Sequence, residues 1–209
     1  MFPANREGAE TAFVETAWLA RAAQIRCAGP PRETRRAAWY IKVDMGTVAV
    51  RPATPGDIPT VLSLLRELAA YEGKLDSVRI DERLLAEHAF GERACIEVLL
   101  GWLDGNAVGY AIFFPHFASY GGRPWLYLED LYVQPAARGA GVGRAMMAHM
   151  ASLTLDRGWA GMTWSVLDWN ESAFAFYRGL GAATANGHVP MDLTGDALLR
   201  LAAHGVSSE

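Results

Sequence analysis

The stretch that decides the fold class is Leu128-Glu129-Asp130-Leu131-Tyr132-Val133-Gln134-Pro135-Ala136-Ala137-Arg138-Gly139-Ala140-Gly141-Val142-Gly143-Arg144. Its apolar first half predicts a strand over Trp125–Gln134, and its glycines open an amphipathic helix that runs to about Arg157. Glycines bring backbone N–H groups close to a ligand, and a helix N-terminus adds free N–H groups and partial positive charge. Because Arg138 and Arg144 add full charges, the stretch is suited to binding a phosphate or a pyrophosphate.

Two common nucleotide-binding loops do not match this turn. A P-loop needs Gly-Lys-Ser or Gly-Lys-Thr, and the chain contains neither triplet. The dinucleotide pattern G-x-G-x-x-G, begun at Gly139, meets Arg144 at its sixth position, and begun at Gly141 it meets Met146. Glycines that merely mark a helix start are the alternative, but the preceding strand and the flanking arginines favour a binding site.

Outward from this turn, the pattern predicts a mixed α/β domain with an antiparallel start. Val48 and Val50 alternate in a short strand, and Asp57 is the expected N-cap of a helix with Pro59 in its first turn. That helix carries one apolar stripe and ends near Glu72. The expected elements are a strand ending at 51, helices 57–72 and 81–90, strands 94–103 and 107–115 joined by a tight turn at Asp104-Gly105-Asn106, strand 125–134, a helix to 157, strand 161–167, helix 170–180, a strand-like stretch, and a short helix near 196–203.

The composition is that of a soluble globular protein. The 209 residues are 51% hydrophobic and 20% charged, which excludes a disordered chain and suits one domain with a well-buried core. Every apolar run ends before the roughly 18 residues that a membrane span needs. The net charge of -4 gives no electrostatic reason to expect a nucleic-acid partner. Cys27 and Cys95 form neither a CxxC pair nor a metal-ligand cluster, so we expect a cytoplasmic protein without a metal.

Residues 1–46 differ from the remainder. Gly29-Pro30-Pro31 interrupts them, and no helical or alternating pattern persists across the segment. The segment also lacks the basic start and unbroken apolar stretch of a signal peptide. We expect residues 1–46 to be an extension ahead of a domain at 47–209. The extension is either a loosely ordered arm or a mis-assigned start, with Met45 as the true one.

Several short motifs resemble, in order along the chain, those of the GNAT acetyltransferases. Residues 138–143 are similar to the (Gln/Arg)-x-x-Gly-x-(Gly/Ala) signature with which that family grips the pyrophosphate of acetyl-CoA. Leu167-Asp168-Trp169-Asn170 and Phe176-Tyr177 follow in family order. Arg51-Pro52-Ala53-Thr54 and residues 66–72 resemble one branch, the diamine (spermidine/spermine) acetyltransferases and their thialysine-acetylating relatives. The resemblance covers about residues 47–205.

The resemblance implies a GNAT fold, in which helices flank a mixed sheet that starts antiparallel and becomes parallel around a V-shaped splay. It implies an N-acetyltransferase that uses acetyl-CoA as cosubstrate, acts on a small-molecule amine by direct transfer in a ternary complex, and forms a homodimer. The residues that it assigns to acetyl-CoA are Leu131, Tyr132 and Val133 along the pantetheine arm, Asn170 and Ala173 at its sulfur end, and Arg138, Gly139, Ala140, Gly141, Val142, Gly143 and Arg144 at the pyrophosphate.

Acetyl transfer to an amine requires the amine to lose a proton, and the departing thiolate benefits from a proton donor. Tyr177 follows Asn170 by seven residues, about two helical turns, so both lie on one side of a helix. The resemblance implies that Tyr177 is the general acid. Aromatic packing beside Phe174 and Phe176 is the alternative.

Glu129 and Asp130 stand inside an otherwise apolar strand, where an unpaired carboxylate is costly. Adjacent strand residues point to opposite faces, so the two carboxylates need not share one role. By resemblance, Glu129 contacts the amine and helps to deprotonate it, and Asp130 helps to attract it. A structural ion pair with Arg178 or Arg123 is the alternative.

The resemblance also assigns the amine to Tyr71 and Glu72, which are otherwise a solvated helix end. The chain departs from the diamine enzymes in two places: Ser119-Tyr120-Gly121 replaces an Asp-Pro-Trp, and residues 184–188 lack an acidic pair. A polyamine needs several acids, so the departures favour a smaller amine such as a lysine analogue or a short diamine. The rivals are a GNAT acting on a protein N-terminus or an antibiotic amine, and a non-catalytic CoA-binding sensor.

Overall fold

The computed structural model describes residues 39–43, 46–185 and 191–204. They fall into two compact units, one that ends at Ser165 and one that begins at Val166. The first unit contains a sheet with helices on both of its faces, and the second contains two helices among its described residues. In the part of the chain that is described, no helix is long and apolar enough to cross a membrane.

The sheet of the first unit has six strands in the described residues. They are β1 (Trp39–Val43), β2 (Gly46–Pro52), β3 (Glu97–Leu103), β4 (Asn106–Ala118), β5 (Arg123–Val133) and β6 (Met162–Trp164). The strands follow one another across the sheet in chain order. Neighbours are antiparallel from β1 to β5, whereas β5 and β6 are parallel. The predicted mixed sheet with an antiparallel start is confirmed.

The short strand β6 leaves part of β5 uncovered. It pairs with β5 only from Leu126↔Met162 to Leu128↔Trp164. Within the described residues, no strand covers this edge of β5 from residue 129 to residue 133. The backbone groups on that edge therefore have no partner strand in this part of the structure.

The strand β1 lies inside the segment that the sequence analysis treated as an extension. It pairs antiparallel with β2, from Trp39↔Val50 to Val43↔Gly46. The sequence analysis predicted no strand or helix in this segment, and the structure adds a strand at residues 39–43. Aromatic and β-branched residues, which favour strands, make up most of this stretch, and the edge of β2 supplies the partner. Residues 1–38, 44 and 45 lie outside the described residues, so the boundary at residue 46 and the alternative start stay predictions.

Within the described residues, five helices follow the predicted order: α1 (Ile58–Tyr71), α2 (Glu82–Phe90), α3 (Val142–Asp156), α4 (Glu171–Arg178) and α5 (Gly195–His204). In the first unit, Leu100 of β3 packs in one cluster with Leu62 of α1 and Leu85 of α2. A Cβ added to the neighbouring Gly101 would instead lie 2.6 Å from Cγ1 of Val142 in α3. Since adjacent strand residues face opposite sides, α1 and α2 cover one face of the sheet and α3 covers the other.

The start of α1 differs from the prediction in one respect. The helix begins at Ile58, directly after Asp57, but the Asp57 side chain does not cap it. Its carboxylate instead accepts a hydrogen bond from the backbone N–H of Thr54 at 2.7 Å and pairs with the Arg51 guanidinium through two contacts of 2.8 Å. The charged guanidinium is the stronger partner, and it holds the pKa of Asp57 well below its usual range.

The turn between β3 and β4 is confirmed as a tight hairpin. Asp104 has φ 49° and Gly105 has φ 81°, so both central residues adopt the left-handed backbone that a primed two-residue turn requires. At the other end of the chain, the short helix is confirmed as α5. The strand-like stretch expected before it is absent from residues 181–185 and 191–194, and its remaining residues, 186–190, lie outside the described residues.

Candidate active site

The glycine-rich turn joins the end of β5 to the start of α3. A short 3-10 turn at Pro135–Ala137 follows the strand, and α3 begins at Val142. Gly139 has φ 82° and Gly141 has φ 86°, a left-handed conformation that residues with a Cβ adopt only at a cost. The backbone of the turn therefore favours glycine at both positions.

The start of α3 is fixed firmly against the sheet. Ala140 and Val142 are buried, with 6% and 1% of their surfaces exposed. Gly101 of β3 and Gly109 of β4 pair with each other under this helix. A Cβ added to Gly101 would lie 2.6 Å from Val142 of α3, and a Cβ added to Gly109 would lie 2.7 Å from the Tyr132 carbonyl of β5. These glycines allow the helix to approach closely. The first backbone N–H groups of α3 have no acceptor inside the helix, so they can donate hydrogen bonds to an anion.

Two arginines flank the turn. The Arg138 Nε donates a hydrogen bond to the Val133 carbonyl at 3.0 Å, and its guanidinium lies over the Tyr71 ring, 5.2 Å from the ring centroid. Arg144, in the first turn of α3, is exposed. The first unit thus brings together Arg138, predicted for the cofactor, and Tyr71, predicted for the substrate. The two arginines that the sequence analysis predicted for the cofactor therefore lie on either side of the glycine turn.

The two adjacent carboxylates of β5 are separated by a β-bulge. Ile112 of β4 is opposite Asp130, and the next residue, Phe113, is opposite Leu128, so Glu129 is the extra residue. Glu129 is exposed and Asp130 is half-buried. The prediction that the two carboxylates differ in environment therefore has its structural cause in this bulge.

The carboxylate of Asp130 has a buried tyrosine as its partner. The hydroxyl of Tyr110, whose side chain is fully buried, donates to Asp130 Oδ2 at 3.0 Å. Burial raises the pKa of Asp130 to about 6, and the negative charges of Glu129 and Glu72 add to the rise, while the Tyr110 hydrogen bond and the charge of Lys74 oppose it. Burial, the Asp130 charge and the hydrogen bond raise the pKa of Tyr110 far enough to keep its hydroxyl protonated.

The end of α1 contributes a second acidic group to this region. Glu72 pairs with Lys74 at 3.0 Å, and its charge acts on both Tyr110 and Asp130. Tyr71, beside it, is 41% exposed. Glu72 and Asp130, both predicted as substrate residues, thus lie near enough to interact electrostatically.

Glu67 of α1 is a residue of this region that the sequence analysis did not single out. Its carboxylate accepts hydrogen bonds from the Tyr132 hydroxyl at 3.2 Å and from Gln134 Nε2 at 3.1 Å. Burial and the Glu67 carboxylate raise the pKa of Tyr132. This network attaches α1 to the strand that leads into the glycine turn. The available signal was spacing, since Glu67 lies one helical turn before Tyr71 on the same face.

The predicted residues of the second unit lie on α4. The Asn170 side chain caps this helix by accepting a hydrogen bond from the Ala173 N–H at 3.1 Å. Tyr177 lies on the following turns, with its ring edge-on to Phe176 at 5.1 Å between centroids. Burial raises the pKa of Tyr177 to about 12. Its hydroxyl therefore stays protonated at neutral pH, as a proton donor requires.

A mixed sheet in which β6 leaves part of β5 uncovered, followed by a glycine-rich turn at the start of α3, defines the class of α/β protein to which the chain belongs. Residues 62–182, more than half of the chain, match the family described as the Acetyltransferase (GNAT) family. The chain belongs to this family, and it is an N-acetyltransferase. GNAT enzymes use acetyl-CoA as cosubstrate.

Its relatives match the branch that the sequence motifs resemble. The chain is 36% identical over 169 residues to the thialysine N-epsilon-acetyltransferase of Sus scrofa, a match that covers 76% of this chain and 99% of that protein. It is 29% identical over 148 residues to the spermidine/spermine N(1)-acetyltransferase-like protein 1 of Homo sapiens, covering 68% of this chain and 21% of that protein. In fold, it is similar to an integron cassette protein from the mobile metagenome of V. cholerae, with a TM-score of 0.63 and 23% identity over 74% of this chain and 97% of that one.

Proposed function

We propose that the protein moves the acetyl group of acetyl-CoA to the primary amine of a small molecule, by direct attack of the amine in a ternary complex. The observation that carries the proposal is the turn at Gly139 and Gly141, whose left-handed backbone opens the N-terminus of α3 beside Arg138. A pyrophosphate would be held by the N–H groups of residues 139–144 and by the charges of Arg138 and Arg144.

The open edge of β5 supports a place for the pantetheine arm. Leu131 and Val133 lie on the stretch of β5 that β6 does not cover. Their backbone groups, with those of Tyr132, would bind the amides of the arm and direct the thioester along the strand. The Tyr132 hydroxyl donates a hydrogen bond to Glu67, which helps to fix the Tyr132 side chain against α1. Asn170 and Ala173 are proposed for the sulfur end on the resemblance.

Acidic groups at β5 and at the end of α1 support a cationic acceptor. Glu129 is exposed, Asp130 is half-buried, and Glu72 interacts electrostatically with Asp130. Together with Tyr71, these carboxylates would attract a protonated amine, and Glu129 would assist its deprotonation. An amine becomes nucleophilic only when it is neutral, so loss of this proton is required for attack.

The departing thiolate would take its proton from Tyr177. Burial raises the pKa of Tyr177 to about 12, so at neutral pH its hydroxyl carries the proton that would be transferred. Cys95, the cysteine among the described residues, is exposed ahead of β3, with His88 Nδ1 at 3.8 Å. Nothing in the motifs assigns it to an acetylated intermediate, which favours direct transfer.

The acceptor is proposed to be small. The relatives are named for thialysine and for spermidine or spermine, but the loop Ser119-Tyr120-Gly121 lacks the acid that a long polyamine would use. A lysine analogue or a short diamine fits the three carboxylates better. We also propose a cytoplasmic homodimer, on the family resemblance. The alternative acceptors are a protein N-terminus and an antibiotic amine, which other enzymes of the same fold could also acetylate.

The test is release of free thiol from acetyl-CoA in the presence of putrescine, spermidine, thialysine, lysine, an aminoglycoside and short peptides. Saturable release with one small amine, and intersecting initial-rate patterns when both substrates are varied, would support the proposal. Parallel patterns would contradict direct transfer. Tight binding of acetyl-CoA without release for any amine would instead favour the CoA-binding sensor.

A further inference from the structure

Glu67 of α1 is a carboxylate that lies near Arg138 without pairing with it. We infer that Glu67 is a positioning residue: its two partners at the end of β5, Tyr132 and Gln134, hold its carboxylate away from Arg138 and so keep the guanidinium available for the pyrophosphate of acetyl-CoA. The inference rests on the proposed function, and it extends the binding site from the glycine turn to a residue of α1.

Glu67 and Arg138 bind to the same short stretch of backbone at the end of β5. The Nε of Arg138 donates a hydrogen bond to the Val133 carbonyl at 3.0 Å. The residues on either side of Val133 donate to Glu67, Tyr132 through its hydroxyl and Gln134 through its side-chain amide. The opposite charges of Glu67 and Arg138 are therefore attached to three consecutive residues.

Two further observations bring these charges close together. Arg138 lies over the ring of Tyr71, 5.2 Å from its centroid, and Tyr71 follows Glu67 by one turn on the same side of α1. Burial and the Glu67 carboxylate raise the pKa of Tyr132, whereas the positive charge of Arg138 opposes the rise. Both charges therefore act on one hydroxyl, and they attract each other unless other contacts compete.

The hydrogen bonds of Glu67 are the contacts that compete. Its Oε1 accepts from Gln134 Nε2 at 3.1 Å, and its Oε2 accepts from the same nitrogen at 3.1 Å and from the Tyr132 hydroxyl at 3.2 Å. Tyr132 is only 5% exposed and Glu67 is half-buried, which strengthens these bonds. Among the described residues, the ion pairs include none between Glu67 and Arg138.

This arrangement leaves the outer nitrogens of Arg138 uncommitted. In the part of the chain that the structure describes, the Arg138 side chain donates one hydrogen bond, from Nε, and its guanidinium is exposed above Tyr71. A guanidinium anchored through Nε can still donate two parallel hydrogen bonds to a phosphate. If Arg138 were paired with Glu67 instead, acetyl-CoA would first have to break that pair, and its binding would be weaker.

The test is calorimetry of acetyl-CoA binding to variants of this network. Gln134→Met keeps the size of the side chain but removes its donor, so Oε1 of Glu67 loses its partner and attracts Arg138. The Kd should rise about fivefold, the upper end of what a partly exposed ion pair contributes. Glu67→Gln should instead lower the Kd by about twofold, because a negative charge near the pyrophosphate is gone.

The double variant distinguishes positioning from a merely structural role. Gln134→Met combined with Glu67→Gln lacks the carboxylate that would capture Arg138, so its Kd should return to within about twofold of the original value. Gln134→Met combined with Glu87→Gln is the matched control, since it removes the same charge from an exposed position of α2 and should not restore binding. A double variant that binds no better than Gln134→Met, or equal recovery in the control, would overturn the inference.

A measurement without acetyl-CoA separates this inference from the proposed function. In nitrogen-15 NMR of arginine-labelled protein, the Nε–H signal of Arg138 is identified by its absence from Arg138→Lys. The signal should move in Gln134→Met and return when Glu67→Gln is added. A signal that stays in place in Gln134→Met would overturn the inference even if the protein acetylates amines. If the unaltered protein binds no acetyl-CoA, the proposed function fails by itself, and the signal still shows whether Glu67 captures Arg138.

Discussion

The guanidinium of Arg138 lies over the ring of Tyr71, 5.2 Å from its centroid, so the first residue of the glycine turn touches the last residue of α1. The Arg138 Nε also donates to Val133 at the end of β5. The side chain proposed to meet a pyrophosphate is therefore oriented by a residue proposed to meet the amine. The cosubstrate and acceptor regions of the first unit share this contact.

Tyr71→Leu should weaken acetyl-CoA binding even though Tyr71 lies at the proposed acceptor end. A cation–π contact at a partly exposed site is worth about 0.5–1 kcal/mol, which corresponds to about a two- to fivefold rise in Kd. Isothermal titration of acetyl-CoA measures this change. In a background that already carries Arg138→Ala, Tyr71→Leu should cause no further loss of acetyl-CoA binding free energy. Losses that add fully in the double variant would contradict the role of the contact.

Gly139→Ala should lower acetyl-CoA affinity while Gly105→Ala does not. Both glycines have left-handed backbones, φ 82° and φ 81°, and a Cβ would meet no atom within 4 Å at either position. The backbone strain of about 1–2 kcal/mol is therefore matched, and both variants should melt at similarly reduced temperatures. At Gly139, a backbone shift that relieves this strain would also turn N–H groups away from acetyl-CoA and weaken its binding by about tenfold in Kd. The same shift at Gly105 would not affect the glycine turn. Equal affinities in the two variants would contradict the assignment of the turn.

Tyr177→Phe should abolish turnover without loss of acetyl-CoA affinity. Phenylalanine keeps the ring and its edge contact with Phe176 but removes the hydroxyl whose pKa burial raises to about 12. Loss of a general acid lowers kcat by about 100- to 10,000-fold. Steady-state kinetics and calorimetry give the two readouts separately. An unchanged kcat would remove Tyr177 as the donor and leave aromatic packing as its role.

Asp57→Ala should destabilise the first unit in a pH-dependent way. The pair with Arg51 is mostly shielded from solvent, with 14% of the Asp57 side chain exposed, so its loss should lower the free energy of unfolding by about 1–3 kcal/mol at pH 7. The folded pKa of Asp57 lies below the ordinary 3.8, so this stabilisation is present above pH 4 and declines as the pH falls below that value.

Urea unfolding at pH 7 and at pH 3 measures that difference, which should be smaller at pH 3. Glu87→Ala is the matched control. Glu87 pairs with Arg83 one helical turn away, and the two side chains are 59% and 71% exposed, respectively. Such a pair contributes only about 0.3–0.5 kcal/mol. A control as destabilised as Asp57→Ala would contradict the interpretation.

The local features of the fold could be predicted because their causes lie within a few residues. The hairpin at Asp104 and Gly105, the turn at Gly139 and Gly141, and the length of α1 each follow from backbone sterics or from apolar spacing along one segment. The family's motifs then added roles for Tyr177 and the β5 carboxylates. The strand β1 was missed, because its pairing depends on the edge of β2 and not on any pattern that continues through residues 1–46.

The sequence by itself determined the order of the elements from β2 to α4, the glycine turn at the start of α3 and the class of reaction. Only the tertiary structure decided that Glu129 is a bulge, that Asp130 lies against Tyr110, 20 residues earlier, and that Glu67 holds Tyr132, 65 residues later. Strand register and side-chain partners across such separations are set by which surfaces pack together. No periodicity within a single segment encodes them, because the free energy that selects them is gained only when the segments meet.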